Sequence, residues 1–302
     1  MKARNFQTNL HSTDVLIIGG SLAGLTAAVK IKELQEKLDV TVVEKGGIGW
    51  AGATPTGGGH LIILRKDADL DEWVKWVADR GEGLSNIEWL HNFGGSLYES
   101  MMELFNWGVP FMKDADGKLH IDDAPGWRVK EKLTGWVTHN VLLQLKKRAL
   151  AKGVKLVNKM EMVDLLKYDG RIVGAVGFSI LTGEFHVFKA KASLIASGST
   201  KYKNRRLWTG LCGEMIAAAY RAGAQHLHSE FGVIYSNCSK DCNMWSRGAG
   251  QQDALVNALG ERVLSKYFPN ISESFARTAY AMYKEVLAGR GPIYFDVSGR
   301  PE

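Results

Sequence analysis

Gly19, Ser21 and Gly24 occupy the three positions of a G-x-G-x-x-G spacing inside Thr13–Glu33, which reads TDVLIIGGSLAGLTAAVKIKE. An acidic residue, Glu44, follows about 20 residues later at the end of a second apolar run. Those residue types at that spacing suit the pyrophosphate of a dinucleotide. Gly19 permits a tight turn, the start of the following helix presents unpaired N–H groups to an anion, and Gly24 allows helix and strand to approach. The Glu44 carboxylate can accept both hydroxyl protons of a ribose and would repel a 2′-phosphate, which disfavours NADP. Gly20, Ala23 and Lys45 belong to the same candidate set. Ser21 departs from the pattern: its Cβ crowds a phosphate, although its hydroxyl can itself donate to an oxygen.

Other polar residues carry weaker signals. Arg247 and Arg277 are guanidinium forks suited to a carboxylate, phosphate or sulfate. Their alternative is an ordinary ion pair. The cysteines are Cys212, Cys238 and Cys242, an odd number without a CxxC pair, which argues against a disulfide framework or an iron–sulfur site. His226 and His228 alternate as on a strand, but no set of carboxylates or thiols accompanies them, so a structural role is expected and no metal site. Electron chemistry in this chain therefore needs an organic cofactor or a partner protein.

The elements that must position these groups follow from apolar periodicity. Residues 14–18 read as a buried strand, 22–37 as a helix and 39–44 as a second strand, the βαβ opening of a doubly wound sheet. The stretch Lys45–His60, KGGIGWAGATPTGGGH, is rich in glycine and alanine and cannot pack a core, but it lets backbone come close to a ligand. Helices are expected within 69–106 and over about 134–152, then a strand at VKLVNK. An antiparallel meander is expected between Met162 and Phe188, with turns at Asp169-Gly170 and Thr182-Gly183. KASLIASGS reads as a further buried strand ending in a glycine turn, 211–222 as a helix, and 253–268 as strand, turn and strand or short helix. A helix over 274–288 leads to a strand in GRGPIYFDV. The tryptophans at 73, 76, 89 and 107 fall among apolar residues and read as core or interface.

The chain of 302 residues is 45% hydrophobic and 23% charged, ordinary for a globular protein with room for a sizeable core. Its net charge of +6 comes from lysines and arginines interspersed with acids, which speaks against a nucleic-acid footprint. No apolar run is long enough to cross a bilayer, and the first residues lack the apolar core of a signal peptide, so a cytoplasmic protein without a transmembrane segment is expected, with peripheral attachment to a membrane complex left open.

Taken together, DVLIIGGSLAGLTAA, VTVVEKG and the glycine-rich loop resemble the flavoprotein subunits of the fumarate reductase and succinate dehydrogenase family, which includes the adenylylsulfate reductase alpha subunit. LIASGS, GLCGEMIAAAYRAGA, LVNALGERVLSKYFP and GRGPIYFDV resemble later parts of that family in the same order, so the resemblance runs from Thr13 to Val297. It implies an α/β fold: a Rossmann-like FAD-binding domain of the GR2 type over 1–230, with a helical excursion at 65–150 and an inserted meander at 160–190, and an incomplete α+β capping domain over 231–302. It implies FAD, with Gly52, Ala53, Thr54, Gly57, Gly58 and Gly59 lining the isoalloxazine and Ser197 and Gly198 forming a second contact. His60 follows the loop's glycines instead of standing among them, so the resemblance implies non-covalent FAD.

The resemblance also locates departures. Arg277 stands where the family's fumarate-reducing members carry a proton-donating arginine, but Thr278 replaces the usual acid beside it. Met244 takes the place of a relay acid before Arg247, and Tyr235 that of a substrate-binding histidine. A thioether cannot relay a proton, so the implied reaction is two-electron chemistry on a small anionic substrate other than fumarate, with Arg277 and Arg247 as its clamp and a separate electron-transfer protein, iron–sulfur in type, as partner. One alternative is a protein like the adenylylsulfate reductase alpha subunit; the other is a non-catalytic flavin-binding or scaffold subunit. Family members continue beyond the strand that matches GPIYFDV and finish both domains. The expectation is therefore a fragment of a longer protein, or a reduced homologue completed by another chain, that alone holds FAD weakly.

Overall fold

The computed structural model describes residues 8–56, 60–123, 132–136, 141–200, 211–230, 254–270, 275–296 and 298. The chain divides into two compact units, one comprising 1–61, 99–121 and 135–227, the other 62–98, 122–134 and 228–302.

The first unit is built on a mixed six-stranded sheet. Strand β1 (Thr8–Ile18) enters helix α1 (Leu22–Leu34) and returns as β2 (Val40–Glu44). A short 3-10 turn, Thr54–Thr56, follows the glycine-rich loop. Most of the next strand, β3 (His60–Leu64), and the helix α2 (Leu70–Arg80) belong to the second unit, as does the first half of α3 (Ile87–Asn106). Short strands β4 (Ile121–Asp123) and β5 (Lys132–Trp136) precede α4 (Val141–Ala151) and β6 (Lys155–Asn158). Strands β7 (Met160–Tyr168), β8 (Arg171–Ser179) and β9 (Phe185–Ile195) lead to α5 (Glu214–Ala222).

The large sheet has the order β6-β2-β1-β9-β8-β7. β1 pairs in parallel with β2 and β9, and β2 in parallel with β6. β8 pairs antiparallel with both β7 and β9. The Val- and Ile-rich ends of β1 and β2 are buried because helices cover them: Leu25, Ala28 and Val29 of α1 are buried, and α1 packs against α4, whose Leu142, Leu145 and Ala149 are buried as well. On the other face Leu16 and Ile18 join Met160, Met162, Phe188, Met215 and Ala218 in one apolar cluster. A separate small sheet, most of whose residues belong to the second unit, has the order β3-β5-β4.

Three expectations need correction. The last strand of the meander and the strand expected after it are one element. β9 is 11 residues long and runs alongside the whole of β1, which itself begins at Thr8; the lysines at 189 and 191 interrupt the apolar run and hide this continuity. The far half of β9 is not fully buried, since Leu194 is 39% exposed. The helix expected from about 134 begins at Val141, and Thr134, Gly135 and Trp136 lie in β5, where branched and aromatic residues fit a pleat better than a helix. His226 and His228 are exposed and outside any strand, with His228 at φ +60°. Trp73 and Trp107 are buried, whereas Trp89 is 64% exposed.

In the second unit Leu64, Trp73 and Val74 form an apolar cluster. Another cluster joins strand β10 (Leu255–Val256), helix α6 (Val263–Tyr267), helix α7 (Phe275–Leu287) and strand β11 (Tyr294–Phe295) through Leu255, Val263 and Ala281. β10 and β11 pair antiparallel. At the heart of this cluster Glu285 is fully buried. It accepts bonds from Arg290 Nε (2.6 Å) and Nη2 (2.8 Å), Tyr267 Oη (2.6 Å) and Asn257 Nδ2 (2.6 Å). The Arg290 guanidinium, with help from Tyr267 and Asn257, holds the Glu285 carboxyl far below the usual carboxylate range against the opposing effect of burial.

Candidate functional site

The turn between β1 and α1 is strained in a way that only glycine accepts at its first position. Gly19 has φ +115°, and a Cβ there would overlap the carbonyl oxygen of Ala196 just after β9. Its amide donates to Val43 O at 2.8 Å, and Ala196 N donates to Ile18 O at 2.7 Å, so the ends of β1, β2 and β9 converge here. Gly24 sits against the backbone of Gly19, where a Cβ would overlap the Gly19 carbonyl, and this is how closely α1 returns to its strand. Ser21 is the N-cap residue of α1, yet its side chain makes no capping bond, so its hydroxyl does not cover the amides of the first turn.

Glu44 ends β2 beside this turn. Its Oε2 accepts from Gly20 N and its Oε1 from Gly46 N, both at 2.8 Å. The two amides fix the carboxylate while leaving each oxygen a second lone pair, the form needed for further hydroxyl donors.

A cavity of about 1260 Å³ opens at this point. Typical small-molecule sites measure roughly 300–1,000 Å³, so the space is ample for an elongated dinucleotide. Of the residues singled out from sequence, Gly19, Ser21, Ala23, Glu44, Lys45, Gly52, Ala53, Thr54, Ser197 and Gly198 line it. Gly20 contributes its amide to Glu44, and Gly24 serves the helix–strand approach. Gly57, Gly58, Gly59 and Arg247 lie outside the described residues, as do Tyr235, Met244, Cys238 and Cys242. Arg277 belongs to the second unit, where its Nε donates to Glu82 Oε1 at 2.9 Å and its guanidinium lies over the Phe268 ring. Thr278 beside it is buried.

Sequence reasoning missed a charged cluster in the cavity wall. Lys45 Nζ donates to Glu214 Oε1 at 2.8 Å and lies 3.8 Å from Glu161 Oε1. Burial pushes the Glu161 carboxyl above its ordinary value. Burial acts the same way on Glu214 and is the largest single effect there, but the bond and charge of Lys45 together with bonds from its own backbone amide and Cys212 hold Glu214 below the usual range. Lys45 is held above its ordinary value although burial opposes this, because Glu214 and Glu161 both favour the ammonium. Cys212, nearby, has its thiol pushed up by burial and by Glu214, which disfavours its thiolate. A signal for Glu161 exists in the sequence, an acid between two buried methionines of a strand. None connects it with residues so distant in the chain. Lys30 and Glu103, which also line the cavity, form an ion pair. Among the described residues no group of three or more potential ligands could hold a metal, and no helix is long and apolar enough to cross a membrane.

A family profile described as an FAD binding domain matches residues 14–234. A fumarate reductase (CoM/CoB) chain from Methanothermobacter marburgensis is 27% identical over 320 residues, covering 98% of this chain and 57% of the relative. The alpha chain of the adenylylsulfate reductase of Megalodesulfovibrio gigas is 25% identical, covering 95% of this chain and 50% of the relative. The chain thus spans about half the length of these curated relatives. Among solved structures, an E. coli quinol fumarate reductase gives a TM-score of 0.84 at 18% identity over 97% of this chain and 55% of that one. The adenylylsulfate reductase of Archaeoglobus fulgidus gives 0.71 at 22% identity over 96% of this chain and 50% of that one. These structural likenesses show the fold: an α/β flavoprotein fold with a largely parallel sheet.

Proposed function

The chain belongs to the FAD binding domain family, with FAD as its cofactor, and from that premise we propose that it is an FAD-dependent oxidoreductase acting on a small anionic substrate other than fumarate. The observation that carries this reading is the Glu44 carboxylate, fixed by the amides of Gly20 and Gly46 at the open amino end of α1. The first turn of α1 would receive the pyrophosphate and Glu44 the ribose hydroxyls. Gly52, Ala53 and Thr54, with Ser197 and Gly198, would hold the remaining length, and Lys45 would stand with its two acids beside it. Bound FAD supplies two-electron redox chemistry there.

Arg277 and Arg247 are the guanidinium groups assigned to the substrate anion. Arg277 now pairs with Glu82, and an exposed ion pair of this kind exchanges readily for a ligand. Electrons would pass to or from a separate iron–sulfur protein. FAD is expected to be held without a covalent bond. In the test, the FAD-loaded protein is photoreduced and offered small carboxylates, phosphates and sulfates. Reoxidation by one of them supports the proposal, and indifference to all of them points to a non-catalytic flavin subunit.

A second reading, an activity like that of the adenylylsulfate reductase alpha chain, is favoured by the Megalodesulfovibrio gigas relative, which covers nearly the whole chain. A flavin spectrum that changes with sulfite and responds again to AMP would select it over the first.

A further inference from the structure

We propose that Ser21, the residue standing in place of the fingerprint's second glycine, is a positioning residue that clasps the loop 52–54 to the dinucleotide turn. The inference rests on the FAD reading and concerns how this chain holds the two ends of that cofactor together.

Ser21 has the extended backbone of an N-cap (φ −97°, ψ −159°), where serine ordinarily accepts a bond from the second or third amide of its helix. It does not do so here. Its Oγ donates instead to Thr54 Oγ1 at 3.1 Å, across 33 residues of sequence. The loop is shaped to receive it: Gly52, at φ +83°, passes beside the serine, and a Cβ there would lie 3.0 Å from Ser21 Oγ and 3.2 Å from Ser21 Cβ. Ser21, Gly52 and Thr54 all line the same cavity.

Two consequences follow from one hydroxyl. Turning away from its own helix leaves the leading amides of α1 to an anion. Turning toward Thr54 ties the loop assigned to the flavin ring onto the turn assigned to the pyrophosphate. Glycine at position 21 would do the first and not the second. Ser21 therefore acts on the cofactor's flavin half through the loop and leaves the adenosine half to the turn itself.

The test uses the full chain and the variants Ser21→Ala, Ser21→Gly, Thr54→Val, Thr54→Ser and the double variant Ser21→Ala/Thr54→Val. Affinities for FAD and for ADP are measured separately, by flavin fluorescence and by calorimetry. Amide exchange of the peptide spanning 50–56 is followed without ligand. Loss of one neutral hydrogen bond predicts roughly five- to tenfold weaker FAD binding in Ser21→Ala and Thr54→Val. ADP binding should stay within about twofold, exchange of 50–56 should accelerate, and the double variant should be no worse than either single one, the mark of a shared bond. Thr54→Ser should restore wild-type behaviour. The clasp is overturned if exchange of 50–56 is unchanged in Ser21→Ala, if the single losses add, if ADP weakens as much as FAD, or if Ser21→Gly matches the wild type. Should the wild type bind neither FAD nor ADP, the flavin reading fails, while the exchange data still decide the clasp.

Discussion

The Glu44 carboxylate is gripped from two directions, by amides on either side of the crossover between β1 and β2. Replacing it with alanine leaves both amides without that acceptor and removes the group proposed to receive the ribose hydroxyls. Hydrogen bonds to a charged group contribute about 1.5–3 kcal/mol each. Glu44→Ala should therefore weaken FAD by about tenfold or more, with ADP weakened in parallel, as read by titration calorimetry. Parallel loss distinguishes Glu44, which is assigned to the adenosine half, from Ser21, which is assigned to the flavin half. Arg277 makes the opposite prediction. Its pair with Glu82 and its place over the Phe268 ring are each worth up to about 1 kcal/mol, so Arg277→Ala should cost no more than about 2 kcal/mol of stability. FAD affinity should also hold, while kcat/KM for the anionic substrate falls sharply. Unchanged kcat/KM would return Arg277 to an ordinary ion pair.

At the scale of elements, the strongest local device is the network that joins α6, α7, the turn at Asn257 and Arg290 around Glu285. A carboxyl held below its unfolded value stabilises the native state at pH values above the ordinary carboxylate range, and that contribution is lost as pH falls through the folded value. The α6–α7 region should accordingly loosen in acid, beginning below about pH 4.5. Glu285→Gln should be destabilised at neutral pH by about 3–5 kcal/mol, because Arg290 then lacks its charge partner. The variant should also show a shallower loss of stability between about pH 5 and pH 2. Equal acid sensitivity in both proteins, measured by denaturant unfolding, would assign the effect to other carboxylates. The elements also show where sequence patterns mislead. Lys189 and Lys191 break the apolar run of β9, yet the strand continues because its backbone pairs with β1 over its full length.

For the whole molecule, a ligand that binds only the folded state stabilises by mass action, by about 2.7 kcal/mol when present at 100 times its Kd. Saturating FAD should therefore raise the melting temperature by several degrees. New protection from amide exchange should gather at 19–24, 44–54 and 196–199, the segments that bound the cavity. A melting curve indifferent to FAD, with no change in those segments, would remove the cofactor assignment on which the proposed activity depends.

What the sequence determined by itself is the strand, glycine turn, helix, strand and terminal acid from Asp14 to Glu44. Each of those features is encoded by neighbours in the chain, through periodicity, the special backbone of Gly19 and the spacing to Glu44. The order of the later segments likewise sufficed to suggest the flavoprotein family. Only the tertiary structure decided that Lys45 meets Glu161 and Glu214, that Ser21 turns from its helix to Thr54, and that β9 is a single strand shared by the two halves of its sheet. Those outcomes depend on contacts between residues far apart in the chain, whose energies are set by burial and backbone pairing in the folded state and leave no periodic trace in the sequence.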